Sequence, residues 1–284
     1  MKIIQQVEEL QLSIREHLAL NPNLSIGFVP TMGALHQGHI ELVRKAKEKS
    51  DLVIVSIFVN PTQFNRAKDL ETYPRNIEAD ADLLLSVGCD VLFAPTESEV
   101  YPDTPEKISV KLNGLDEVME GMHRPGHFQG VLMVVKRLFD IVQPNLAFFG
   151  RKDFQQLMII KAMVAQLKLE VEIVPVDIKR SNKGLALSSR NQLLSDQEKE
   201  EALILFNTLN HGRQLAKSTN DANTLKQAMR NHFKTSNLQL EYLSIVDNKT
   251  LKEVAVVDEN CTICIAAYCG SVRLIDNVQI DRAN

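Results

Sequence analysis

Along the first two thirds of the chain, short apolar runs alternate with stretches whose apolar residues recur at helical spacing. Residues 24–29, 52–59, 91–94, 147–149 and 171–178 are runs of strand length, mostly apolar on both faces, as strands between two helix layers are. Between them, 40–49, 76–87, 131–142 and 154–167 carry the helical pattern, and the first twenty residues space their apolar positions as an amphipathic helix. This alternation predicts right-handed crossovers and an α/β fold with a Rossmann-like, doubly wound parallel sheet. Ligands are then expected beyond the carboxyl ends of the strands.

The pattern changes after Asn191. Ser195 and Asp196 offer an N-cap to a charged helix running to about Ala216, and a second helix is predicted near 223–233. Short strands are predicted near 240–245, 262–267 and 272–280. The chain therefore divides into a Rossmann-like domain over 1–182 and a smaller α+β domain over 183–284.

Composition narrows the class. With 284 residues, 44% hydrophobic and 24% charged, the chain suits two ordinary globular domains, and it has no apolar run long enough for a membrane span. Its 32 basic and 36 acidic residues give a net charge of -4, without the basic excess of a nucleic-acid binder. Glu8, Glu9, Arg15 and Glu16 interrupt the N-terminus, so no secretory leader is expected there. Four cysteines in a chain this long make no disulfide framework, and a cytoplasmic, reducing compartment is expected. Cys261, Cys264 and Cys269 lie in a strand-like stretch where positions three apart face opposite ways, which favours buried thiols over zinc ligands.

Candidate chemistry gathers at the predicted strand ends. Residues 30–39, PTMGALHQGH, follow the first long strand and lead into a helix, where backbone N–H groups and the positive helix end would face an anion. Gly33 and Gly38 have P-loop spacing, but His39 and Ile40 stand where Lys and Ser or Thr are needed, and no G-x-G-x-x-G is present. What remains is H-x-G-H, with His36 and His39 able to face one phosphate; a plain turn with surface histidines is the alternative. Residues 150–156, GRKDFQQ, follow another strand and bring Lys152 for phosphate oxygens, with Asp153 and Gln156 for substrate. An ordinary helix start would look the same. Ser188, Ser189 and Arg190 suit phosphate oxygens at the expected domain junction, although by itself the segment reads better as a loop or N-cap, and two further turns, 58–64 and 123–128, are rich in amides and basic groups.

Taken together, PTMGALHQGH, FVNPTQF, Tyr73-Pro74-Arg75, HRPGHF, KDFQQL and GLALSSRN resemble, in order and over essentially the whole chain, the pantothenate synthetase family. These are ATP-dependent ligases that join pantoate to β-alanine; their H-x-G-H element is shared with wider nucleotidyltransferases and class I aminoacyl-tRNA synthetases. The resemblance implies an ATP- and pantoate-binding first domain, a C-terminal lid, a homodimer, and MgATP as cosubstrate. It implies pantoyl adenylate plus pyrophosphate in a first step and displacement of AMP by β-alanine in a second. It assigns ATP binding to Met32, Gly33, Ala34, Leu35, His36, Gln37, Gly38 and His39, to Gly150, Arg151, Lys152 and Asp153, to Lys179, and to Leu187, Ser188, Ser189 and Arg190. His36, His39, Lys152 and Arg190 would be catalytic, with His39 as proton donor. Gln63 and Gln156 would bind pantoate, Gln63 also β-alanine, and Asp80 would lie on the magnesium side. Asn60, Arg124 and His127 are further carry-overs. Two positions depart from the family pattern: Arg151 stands where Glu is common, and Lys179 where an apolar residue is common. The alternatives are a nucleotidylyltransferase that stops at phosphate transfer and a nucleotide-sensing module without turnover; the net charge of -4 speaks against an RNA-binding synthetase.

Overall fold

A computed structural model describes residues 1–64, 70–102 and 108–280. The chain forms two compact units, the first made of Met1–Leu112, Arg124–Arg151 and Ile159–Asp177, the second of Asn113–His123, Lys152–Met158 and the chain from Ile178 onward. The expected single boundary near 182 thus leaves out two earlier pieces. They fold with the second unit because the Gln155 carboxamide, buried, donates to the carbonyls of Leu115 and Val118 and accepts from the Glu120 N–H. Arg273 and Tyr242 in turn bond the Glu120 carboxylate.

In the first unit six parallel strands run in the order β1-β4-β3-β2-β5-β6. They are β1 Lys2–Ile4, β2 Ile26–Thr31, β3 Leu52–Ile57, β4 Val91–Phe93, β5 Leu146–Gly150 and β6 Glu172–Val176. The expected N-terminal helix is present as Val7–Leu20, but the residues before it form edge strand β1, too short for its alternation to be visible in sequence. Val29, Val53, Val55, Leu92 and Phe148 from the sheet pack with Val43 and Ala46 of the helix Gln37–Lys49 and with Leu84. Each such side chain contributes roughly 1.5–3 kcal/mol by leaving water. At Gly27 the sheet and that helix approach so closely that a Cβ would stand 2.0 Å from Ser50 Oγ.

The second unit carries an antiparallel sheet in the order β7-β8-β9, formed by Gln239–Asp247, Cys261–Cys269 and Val272–Gln279. Ile263, Ile265 and Ala267 of β8 pack with Leu205, Leu209, Leu225 and Met229 of the helices Leu203–Leu215 and Ala222–Phe233. Ser195 makes the predicted cap, with its side chain and that of Glu198 closing a capping box. The predicted helix to Ala216 is split at Ala202, where ψ is -15°. All four cysteines are buried and free; burial pushes the Cys89 thiol up to about 12 and raises Cys261, Cys264 and Cys269 as well. Among the described residues no helix is long and apolar enough to cross a membrane.

Candidate active site

Strand order reverses between β2 and β5, the switch point of the first unit's sheet. Their ladder holds Gly27 against Leu146 and Phe28 against Ala147 and ends there, while β2 runs on to Thr31 and β5 to Gly150. Crevices at such points are where open α/β sheets take ligands. The segment leaving β2 is PTMGALHQGH, and the one leaving β5 begins with Gly150 and Arg151.

The β2 turn does not leave its amides open as the sequence suggests. Gly33 and Ala34 take left-handed φ values of 80° and 50°, which turns the amides of Ala34 and Leu35 onto the Asp80 carboxylate at 2.9 and 2.7 Å. Gly33 N–H donates to Thr31 Oγ1, His36 N–H to His39 Nδ1 and Gly38 N–H to His36 Nδ1, so the two histidines close a capping box on the helix Gln37–Lys49. This fixes their chemistry. A ring that accepts at Nδ1 carries its hydrogen at Nε2 when neutral, so His36 and His39 are both Nε2–H donors, with ring centroids 4.1 Å apart at a helix N-terminus.

Asp80, expected on the magnesium side, underpins this turn. It is 3% exposed, and each oxygen accepts a main-chain N–H. Burial pushes its carboxyl above the ordinary value, against the pull of the Leu35 and Ala34 amides. Among the described residues no group of three or more His, Cys, Asp or Glu side chains is placed to hold a metal ion.

Beyond β3, Asn60 and Gln63 belong to one buried network of the first unit. Asn60 Oδ1 accepts from Thr62 and from Tyr101 Oη; its Nδ2 donates to Gln63 Oε1 and to the Gly130 carbonyl. Gln63 Nε2 donates to Met32 Sδ at 3.0 Å, and His127 Nδ1 lies 2.9 Å from the Gln63 carbonyl oxygen. Burial pushes the Tyr101 phenol up to about 12, so it remains a donor at neutral pH. A Cβ at Gly130 would stand 2.3 Å from the Thr62 carbonyl oxygen, so glycine lets the helix His127–Val142 close on this turn. Tyr101 gives no signal in sequence, because its partner lies 41 residues away.

Other expected residues divide between the units. Arg124, Gly150 and Arg151 fold with the first, where Arg151 pairs with Asp177 at 3.1 Å and is thereby accommodated. Lys152, Asp153, Gln156, Lys179, Leu187, Ser188, Ser189 and Arg190 belong to the second. There Lys152, Ser188 and Arg190 line one cleft with Ala186, Leu274 and Asp276. Ser188 Oγ accepts from Arg190 N–H and caps the 3₁₀ turn Ser189–Leu193, and Asn191 donates to the Ala186 carbonyl. Lys179 is exposed on its side chain, while its carbonyl accepts from Leu187 N–H, so an altered side chain leaves that bond intact.

Relatives match this chain along essentially its whole length. Residues 2–279 match the family model described as pantoate-beta-alanine ligase. The pantothenate synthetase of Bacteroides thetaiotaomicron is 45% identical over 281 residues, 98% of this chain and 99% of that protein. That of Pseudomonas fluorescens is 43% identical over 283 residues, 99% of this chain and 98% of its own. The pantothenate synthetase of Thermus thermophilus superposes with a TM-score of 0.92 at 39% identity, covering 99% of both chains. The pantoate-beta-alanine ligase of Francisella tularensis, complexed with beta-gamma ATP and beta-alanine, superposes with a TM-score of 0.82 at 38% identity, covering 100% of this chain and 99% of that one. A match of this extent, on a fold whose switch point carries the H-x-G-H turn, assigns the chain to the pantoate-beta-alanine ligase family.

Proposed function

We propose that this chain condenses pantoate with β-alanine using ATP, through a pantoyl adenylate, releasing pyrophosphate and then AMP. The observation that carries this is the H-x-G-H turn at the switch point, where two rings are fixed as Nε2–H donors, in a chain whose relatives are pantothenate synthetases along their whole length.

Pantoate's carboxylate, with a pKa of about 4 by analogy with Asp and Glu, is ionised at neutral pH and needs no base. The barrier lies in bringing one anion to another and in stabilising charge that moves onto pyrophosphate, so aimed donors and positioning contribute most. His36, His39, Lys152, Ser188, Ser189 and Arg190 are assigned to the phosphates. Gln63 and Gln156 are assigned to pantoate, and Gln63 also to β-alanine. Magnesium would enter with ATP and neutralise charge on the pyrophosphate leaving group, with Asp80, whose oxygens accept the Ala34 and Leu35 amides, assigned to the magnesium side. Step two needs β-alanine as the free amine, whose pKa of about 10.4 by analogy with Lys leaves roughly one molecule in 10³ neutral at pH 7. Its rate is therefore expected to climb from pH 7 to 9 where chemistry limits turnover.

Omitting each substrate in turn tests the reading. Pantoate-dependent exchange between ATP and pyrophosphate without β-alanine, followed by AMP release on adding it, supports both half-reactions. Exchange with neither pantoate nor related hydroxy acids rejects the substrate. Light scattering on the same preparation tests the homodimer that the family resemblance implies.

A further inference from the structure

Strand β9 carries two consecutive polar residues, Asp276 and Asn277, that are 4% and 6% exposed. Successive strand residues face opposite ways, and these two grip different segments. Asp276 takes Arg180 in a fork, from Nη1 at 2.6 Å and Nη2 at 2.9 Å, and its Oδ1 also accepts the Asn277 N–H. Burial pushes the Asp276 carboxyl up, and the Arg180 guanidinium opposes that shift. Asn277 Nδ2 donates at 2.8 Å to the carbonyl of Lys152, 125 residues earlier.

Asp276 itself and Lys152, the residue that Asn277 holds, line one cleft with Ser188 and Arg190. Arg180 also donates to the carbonyls of Gly184 and Asn277 and stacks 4.7 Å over the Phe206 ring. From there the chain closes a clasp: Leu185 accepts from Ser181 N–H, Leu187 donates to Lys179, and Gly184 turns at φ +109°, where a Cβ would stand 2.2 Å from the Phe206 ring. The clasp delivers Ser188 and Arg190. Polar side chains this deep in a small sheet serve the packing poorly, and hydrogen bonds aimed at the main chain of a functional lysine serve its orientation well.

We propose that Asp276 and Asn277 are positioning residues for the nucleotide phosphates, Asn277 through Lys152 and Asp276 through Arg180 and the clasp that carries Ser188 and Arg190. This rests on the assignment of Lys152 and Arg190 to ATP.

A double-mutant cycle separates positioning from a brace that only supports the fold. Asn277→Ala is expected to lower the rate of pantoate-dependent exchange about 10-fold, with KM for pantoate unchanged, and to have less than about a 2-fold effect once Lys152 is Ala. An equal loss in both backgrounds overturns the proposal for Asn277, and so does a loss that appears wholly in KM for pantoate. Asp276→Asn is measured in the same way against Arg190→Ala, with equal losses again overturning it. Where Asn277→Ala does not fold by circular dichroism, Asn277→Leu, which fills a similar volume without a donor, replaces it in the cycle. Calorimetric titration with ATP and no acid keeps the two readings apart. If the wild type binds ATP but exchanges pyrophosphate with no acid, the proposed substrate fails, and the cycle is then read in ATP affinity: coupling between positions 277 and 152 supports the positioning role, and additivity removes it.

Discussion

The turn after β2 and the clasp from Lys179 to Asn191 both carry residues assigned above to the phosphates, yet they are braced by contrasting means. Under the β2 turn lies a buried carboxylate, Asp80, bonded to neutral main-chain amides. Behind the clasp lies a buried carboxylate, Asp276, forked by a guanidinium. The first brace spends no opposite charge and leaves the histidines to cap their own helix; the second holds two charges that are expensive to separate. The contrast teaches that the turn is vulnerable to loss of an acceptor, whereas the clasp is vulnerable to loss of a counter-charge.

Arg180→Met breaks the second brace most severely. It strands Asp276 without a partner at 4% exposure, and a loss of about 3–5 kcal/mol in urea unfolding of the second unit is expected. A loss below about 1 kcal/mol would mean that Asp276 is neutral beside Arg180 and that the two braces do not differ. His39→Ala comes next: it removes a donor assigned to the phosphates and is expected to lower pantoate-dependent exchange by about 10²–10³-fold. It also removes half of the capping box at His36, so a stability loss of about 1 kcal/mol accompanies it; near-normal exchange would take His39 out of step one.

Asp80→Asn sharpens the first brace. One of the two amides loses its acceptor, at a cost of about 1–3 kcal/mol. The pH dependence has a definite sign. Because the folded-state carboxyl lies above its unfolded value of about 3.9, the folded protein binds that proton more tightly, and this group's contribution to stability declines as pH rises from there through the raised value. The urea midpoint of the wild type relative to that of Asp80→Asn should therefore fall between about pH 3.5 and 7, the other carboxylates cancelling in the difference. Asp177→Asn, which releases Arg151 from an exposed pair, is the smallest change, with an expected stability effect within about 1 kcal/mol by the same measurement.

The two braces also mark where sequence patterning stops. Alternating apolar runs located β2 to β6 and the three C-terminal strands to within a few residues, because burial on both faces of a sheet imposes composition locally. H-x-G-H was legible as chemistry because its partners lie within three residues; that its rings occupy their own helix's amides was not, since Gly33 and Ala34 must first turn left-handed. Asp80, Tyr101 and Asn277 act on groups 41 to 125 residues away, a separation that no local periodicity encodes. The pair Asp276-Asn277 did leave a trace, as two adjacent polar residues in the middle of a strand whose other polar residues, Arg273 and Gln279, lie toward its ends. The pieces 113–123 and 152–158 fold with the second unit through one buried glutamine, Gln155, whose neighbour Gln156 drew attention in the sequence instead.

The four thiols give this molecule built-in clocks. Cys89 sits in the first unit and Cys261, Cys264 and Cys269 in the second, each at most 4% exposed with its thiolate disfavoured by burial. An alkylating reagent therefore modifies them only as the surrounding structure opens. Mass spectrometry of pulse-labelled peptides would time the opening of the parallel sheet at Cys89 separately from that of the C-terminal sheet, in the native sequence and during turnover.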